Sequence, residues 1–294
     1  MTDRLESYPP GAEEIADGTV TPSPGPEETT KGAKVRGARL RRVLFTAFTV
    51  LFSLFLLAAF NILYLLIVLY WLPDETILSL IPDFDAAELV HRLHGMALAT
   101  FVWGIFIGTV VQLRHPQRRL APFLMALAVP VALIVGELVT GTYTVGGTAP
   151  VFVPLLLIAA LHPHARKLLA VPGLNRPLAG LIAVAAVPLL LFAAQQAQMQ
   201  RLAVPGDTHA EMGHWAHMVS FALLILLWGL IGASDHPGWR LVAWVAGLAA
   251  AIYGLQSLFF PTMASAAPVF WAAVVVVWAA AYLALTERRA RRGA

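Results

Sequence analysis

The chain has no cysteine. Disulfides, thiolate metal ligands and covalent attachment of a c-type haem are therefore excluded. Charge is scarce too. Only 13% of the 294 residues are Asp, Glu, Lys or Arg, against 59% hydrophobic, and mean hydropathy is +0.73. So little charge excludes an ordinary soluble domain and fits an all-α polytopic membrane protein. The sequence pI of 9.4 does not imply nucleic acid, because the basic residues sit in loops and tails.

Long apolar runs are what the chain has in quantity. A hydrocarbon core of ~30 Å takes about 20 apolar residues per helix. Eight runs are expected to span: 43–72, 88–112, 121–143, 149–161, 177–199, 213–233, 239–259 and 266–285. The fourth is short. Backbone groups in lipid must be bonded within their own segment, so these are helices rather than open strands.

The expected organisation is a disordered cytoplasmic tail over 1–42, rich in Pro, Gly, Glu and Thr, then a first four-helix bundle over 43–164. A linker over 165–176, a second bundle over 177–286 and a basic tail over 287–294 complete it. The late basic run at 31–42 and a following apolar stretch too long for a signal peptide argue against cleavage. Arg114, Arg118, Arg119, Arg166, Lys167, Arg176, Arg240 and Arg288 fall on the N-terminal side if there are eight spans. Both termini are then expected in the cytoplasm.

Two stretches repeat one pattern. "ELVHRLHG" carries Glu88, His91 and His94, and "EMGHWAH" carries Glu211, His214 and His217. At an offset of 123, Pro82 matches Pro205, and each Glu and His of the first stretch matches one of the second. At an offset of 118, Gly136 matches Gly254, and "APVF" at 149–152 matches "APVF" at 267–270. Two parallel four-helix repeats are expected, related by a pseudo-two-fold axis along the membrane normal. Both clusters would then lie near the outer face.

On a helix, positions i, i+3 and i+6 form a slanting stripe on one face. Ionisable stripes at membrane depth face a bundle interior or a cavity. Imidazole offers a neutral nitrogen to haem iron or another metal, and glutamate orients, ligates or moves protons. Glu-x-x-His on bundle helices is also the ligand pattern of di-iron proteins. The plain alternative is an interfacial polar cap.

Glu137, Gln256 and the glutamines at 195, 196, 198 and 200 are expected at the same level. His209 is expected in the surroundings of the site at most. His115, His162, His164 and His236 are expected as solvated loop residues, and Trp71, Trp215, Trp239 and Trp271 as interfacial belts. Arg92 is expected to snorkel or to pair with a propionate rather than to catalyse.

Eight helices in two repeats, with Glu-x-x-His-Arg opening the second helix, resemble the haem A synthase family over 43–286. "GELVTGTYTV" in the third helix is similar as well. The resemblance implies a membrane oxidoreductase converting haem O to haem A for cytochrome oxidase, with a b-type haem as redox cofactor. His91 and His214 would be axial ligands and Glu88 the carboxylate near the reacting haem; Glu137 is a further candidate catalytic carboxylate, and His94, His217 and Arg92 are candidate cofactor-binding residues. Cytochrome oxidase biogenesis proteins would be partners. The fourth and eighth helices contain no histidine, so the family's second axial ligands have no counterpart there. Two further readings stay open. In one, His91, His94, His214, His217, Glu88 and Glu211 form a shared non-haem metal or transport site. In the other, a non-catalytic subunit keeps the fold alone.

Overall fold

The computed structural model describes residues 26–81, 89, 91–142, 148–170 and 172–292. They form helices joined by turns and loops, with no strand among them: α1 Pro26–Ala59, α2 Asn61–Leu69, α3 Asp74–Leu80, α4 Arg92–Val110, α5 Leu120–Thr140 and α6 Ala149–Leu161. Then follow α7 Ala165–Leu168, α8 Arg176–Arg201, α9 Thr208–Glu211, α10 His214–Ala233, α11 Trp239–Phe259 and α12 Val269–Arg292.

Among the described residues, seven helices are long and apolar enough to cross a bilayer, and Ala149–Leu161 is a shorter apolar helix. The chain thus has the make-up of a helical integral membrane protein whose apolar helices contact lipid. Two expected boundaries move. The first helix begins at Pro26 rather than Val43, because "EETTKGAKVRGARLRR" is rich in helix-forming Glu, Lys, Ala and Arg behind a proline suited to a first turn. The expected first span over 43–72 is also broken in two at Phe60.

The central helix is α10, packed against α4, α5, α8 and α11. Burial of apolar surface does not drive helix association in lipid; close packing and hydrogen bonds do. α10 is built for both. A Cβ on Gly104 of α4 would overlap the ring of Trp228, whose Nε1 donates to the Met125 carbonyl at 2.9 Å. A Cβ on Gly136 of α5 would overlap Ser220 Oγ. These glycines let α10 approach both neighbours. Tyr282 of α12 donates to the Gly229 carbonyl at 2.8 Å. The outer helices leave Val184, Leu191 and Val277 more than 60% exposed, the surface expected to face acyl chains.

Local signals place the ends. Asn175 caps α8, its side chain accepting from Leu178 N at 3.2 Å, with Pro177 in the first turn. Gly141, at φ 78°, ends α5 in the left-handed region.

His162 and His236 are not solvated loop residues. His162 is fully buried, stacked on Phe123 at 5.6 Å and edge-on to Phe45 at 5.1 Å. His236 is also buried. Burial, then His164 and Arg41, pull the His162 pKa from 6.5 down to about 4. The unfolded chain therefore takes up this proton first. Stability from the neutral ring is complete above about 6.5 and declines as pH falls toward 4. His162→Phe is expected to lower the unfolding temperature at pH 7, since His162 Nδ1 accepts from His164 N. It should also shrink the further fall between pH 7 and 4.5. Thermal unfolding in detergent at both pH values checks this; an unchanged acid-dependent fall would overturn it.

Candidate metal centre

Two helix starts and one short helix deliver the cluster. His91 caps α4 and His94 lies one turn inside it. His214 opens α10, directly after Gly213, which turns in the left-handed region at φ 69°. His209 is held by α9, whose N-cap Asp207 accepts from His209 N at 3.0 Å and Ala210 N at 3.3 Å.

The two stripes meet. His91 Nδ1 lies 3.0 Å from His214 Nδ1, a hydrogen bond in which one ring donates and the other accepts. Ring centroids are 4.3 Å apart for His91 and His209, 4.5 Å for His91 and His214, 4.9 Å for His94 and His214, and 5.2 Å for His94 and His209. One ring nitrogen from each of His91, His94 and His209 can be chosen so that all lie within 4.8 Å of one another. At that spacing, small movements of the rings would bring three nitrogens onto one ion.

The surroundings fix which nitrogens are free. Ser265 Oγ donates to Gln196 Oε1 at 2.6 Å, so its contact with His94 Nε2 at 2.9 Å is received from an imidazole N–H. That tautomer leaves the lone pair on His94 Nδ1, which is buried without a partner among the described residues. His209 Nε2 is buried and unpartnered too, while its Nδ1 lies 3.7 Å from Asp207 Oδ1. A carboxylate or hydroxyl behind the imidazole is the arrangement that orients metal-ligating histidines. Burial and His91, opposed by Asp207, lower the His209 pKa, so the ring is neutral and able to ligate. Trp215 covers one side, stacked on His209 at 5.0 Å and edge-on to His94 at 5.5 Å.

The expected site residues divide. His91, His94 and His214 come together, and His209, expected only nearby, joins them. His217 lies one turn further along α10, 6.2 Å from His214 and 6.5 Å from the Phe101 ring. Glu211 does not continue the stripe. The turn at Gly213 cuts it off from α10, and its exposed carboxylate accepts from Gly206 N at 3.1 Å. Glu88 lies outside the described residues. Glu137 sits on α5, half-buried, with Oε2 unpartnered among the described residues. Trp215 is buried against the cluster rather than in an interfacial belt. Arg92 is buried and donates to the Tyr70 carbonyl at 2.7 Å and the Leu72 carbonyl at 3.0 Å. It also pairs with Asp74 and lies over the Phe260 ring at 4.7 Å.

Of the polar residues expected at this level, Gln196 supports Ser265, and Gln200 donates to the Ala210 carbonyl at 2.9 Å. Gln256 is fully buried with neither amide atom partnered among the described residues. An unpaired buried amide costs roughly 1–3 kcal/mol. Gln256→Leu, of similar shape, is expected to raise stability by about 1–2 kcal/mol in detergent unfolding. A loss of stability would show that the amide has a partner.

Searched against protein-family models, curated proteins and solved structures, the chain gives no match.

Proposed function

We propose that the protein is an integral membrane metalloprotein with a resident non-haem transition-metal centre, ligated by His91, His94 and His209. His214 lies beside them, hydrogen-bonded to His91. The observation that carries the reading is the convergence of three imidazoles from α4, its N-cap and α9, with unpartnered nitrogens on His94 and His209. The donor set is all nitrogen, which suits zinc, copper, iron or nickel and disfavours magnesium and calcium. Three imidazoles leave a fourth position for water or substrate, as in catalytic zinc sites. A bound ion there supplies Lewis acidity or, for copper or iron, redox chemistry.

A resident centre fits better than a conduit. Beyond Met96 and His217, α4 and α10 continue with Phe101, Phe221, Leu224 and Trp228, each at most 3% exposed. Such a plug offers an ion no ligands. In this reading α6 completes eight spans, and the 123-residue offset reflects two parallel copies. The meeting of the matched residues His91 and His214 supports such a pseudo-two-fold relation. The arginine-rich ends face the cytoplasm and the histidines the outer side.

The second reading is a haem-handling oxidoreductase of the haem A synthase type, with haem b as cofactor and haem O as substrate. It rests on the Glu-x-x-His-Arg pattern at Glu88, His91 and Arg92. That reading asks for two haem pockets well apart, whereas direct contact between His91 and His214 supports one shared site. Elemental analysis and a reduced-minus-oxidised absorption spectrum of the same detergent-purified sample separate the two. The metal reading expects about one zinc, copper, iron or nickel ion per chain and no haem bands. A haem spectrum lost in His91→Ala, with no other metal, would sink it.

A further inference from the structure

Residues 162–170 and 172–175, which connect α6 to α8, are fastened across the end of the bundle. At the start, His162 is buried against Phe123 and Phe45. In the middle, α7 packs against α5 and α6, and Leu168 belongs to the main apolar core. At the end, Asp235 N donates to the Gly173 carbonyl at 2.9 Å and Asn175 N to the Ala233 carbonyl at 2.8 Å. The connection is therefore held at the level of the helix ends. That is where the apolar helix α6 and the long apolar helix α8 meet the membrane–water boundary.

Its outward side is apolar and basic at once. Leu169 is 86% exposed, more than any other large hydrophobic side chain among the described residues, and Leu174 is 53% exposed. Leu169 cannot turn inward, because its neighbour Leu168 already fills the core position. Arg166 and Lys167 are exposed, and neither makes an ion pair among the described residues. Arg166 precedes Leu169 by three positions, so the two share a side of the helical turn. The sequence holds no Asp or Glu between Glu137 and Asp207. Asp235, which reaches Gly173 through its backbone, has its carboxylate on Arg289 at 2.6 Å. The positive charge of this connection is thus left for an outside partner.

We infer that this connection is an interfacial anchor for anionic lipid. Leu169 inserts at the acyl boundary of the leaflet at this end of the bundle, and Arg166 and Lys167 lie against its phosphates. An anionic bilayer surface supplies both things the segment presents a need for: an apolar layer for the leucine and negative charge directly above it. An acidic protein surface would answer the charges and leave the leucine in water. The inference rests on the membrane-spanning character of the helices and not on the metal centre.

The chain has no native cysteine, so Leu169→Cys gives the full-length protein a single labelling site. It is labelled with an environment-sensitive fluorophore and reconstituted in vesicles of equal phosphatidylglycerol and phosphatidylcholine. The quencher is a phosphatidylcholine carrying a nitroxide near the headgroup end of its acyl chain. Blue-shifted emission and strong quenching are expected. Adding Arg166→Gln or Lys167→Gln should each lower the inserted-to-exposed ratio roughly fivefold, and phosphatidylcholine alone should lower it as well. Arg288→Gln, on an exposed arginine near the end of α12, should leave it unchanged. Equal loss in Arg288→Gln would reduce the effect to net charge and overturn the anchor. Quenching independent of lipid composition would overturn the headgroup contact. Water-like, unquenched emission would overturn insertion, and a blue shift without lipid quenching would name a protein contact instead. A label at Leu157→Cys, exposed on α6, is expected to be quenched in either lipid. Failure there would overturn the membrane assignment of α6 and the anchor with it.

Discussion

If the proposed centre holds its ion through His94, His94→Ala is expected to lower metal affinity at least ~100-fold. The reason is the position of His94 in two shells at once. Its Nδ1 is buried and unpartnered among the described residues, and its Nε2 is held by Ser265. Losing a ligand from a three-nitrogen site removes one of its few metal bonds, whereas altering an outer-shell partner costs ~10–100-fold. Ser265→Ala tests the second shell alone. It leaves every ligand in place and frees the His94 ring to rotate or change tautomer, so a loss of about tenfold is expected. Ser265 already holds a left-handed backbone at φ 64°, and Tyr253 donates to its carbonyl at 2.9 Å, so the loop is tied down independently of the side chain. Competition titration of the metal-free protein with a chelator of known affinity reads both variants. Metal affinity unchanged in His94→Ala would remove His94 from the ligand set. Equal losses in the two variants would show that orientation, not ligation, is what His94 supplies.

Much of this site could be read from residue spacing, and the unread part has identifiable causes. The stripe of His91 and His94 was legible because i, i+3 spacing survives in any helix, and α4 starts where the pattern does. The match of His91 to His214 pointed to equivalent depth, but sequence spacing says nothing about whether two stripes face each other. That depends on how α4 and α10 cross, and the close approach at Gly104 and Trp228 sets it. Glu211 was misplaced because a Glu-x-x-His-x-x-His pattern looks continuous, while the left-handed turn at Gly213 interrupts it. A glycine between Glu and His was the available signal. His209 was not placed in the cluster for the converse reason. Its short helix exists through the Asp207 cap, and Asp followed by Thr, His, Ala and Glu is a legible N-terminal signal that places a histidine in a first turn. The membrane class followed from composition. The break at Phe60 and the helical start at Pro26 depend on local competition between backbone and side chains that hydropathy does not register.

Arg92→Ala is expected to destabilise the protein by about 3–5 kcal/mol, and Asp74→Ala by less than about 1 kcal/mol. The two partners of one ion pair differ because their surroundings differ. Arg92 is 1% exposed and Asp74 60% exposed, so water screens the carboxylate side of the pair. The weight falls instead on the Tyr70 and Leu72 carbonyls, which take a charged donor at 2.7 and 3.0 Å, and on the Phe260 ring. Hydrogen bonds to a charged group are worth roughly 1.5–3 kcal/mol each. Removing the guanidinium strands two carbonyls and opens space against Phe260, whereas removing Asp74 leaves those contacts intact. Arg92→Lys is expected to fall between, since an ammonium can take over the two carbonyls that one guanidinium nitrogen holds but lacks the second nitrogen that pairs with Asp74 and the flat face that lies over the Phe260 ring. These contacts join the end of α2 and the residues after it to the first turn of α4, the turn that carries His91 and His94. Arg92→Ala should therefore weaken metal binding as well, without Arg92 touching the ion. Unfolding of the metal-free protein in mixed micelles gives the stability order, and chelator competition gives the affinity. If Asp74→Ala matched Arg92→Ala in stability, the ion pair and not the carbonyl contacts would be holding this corner.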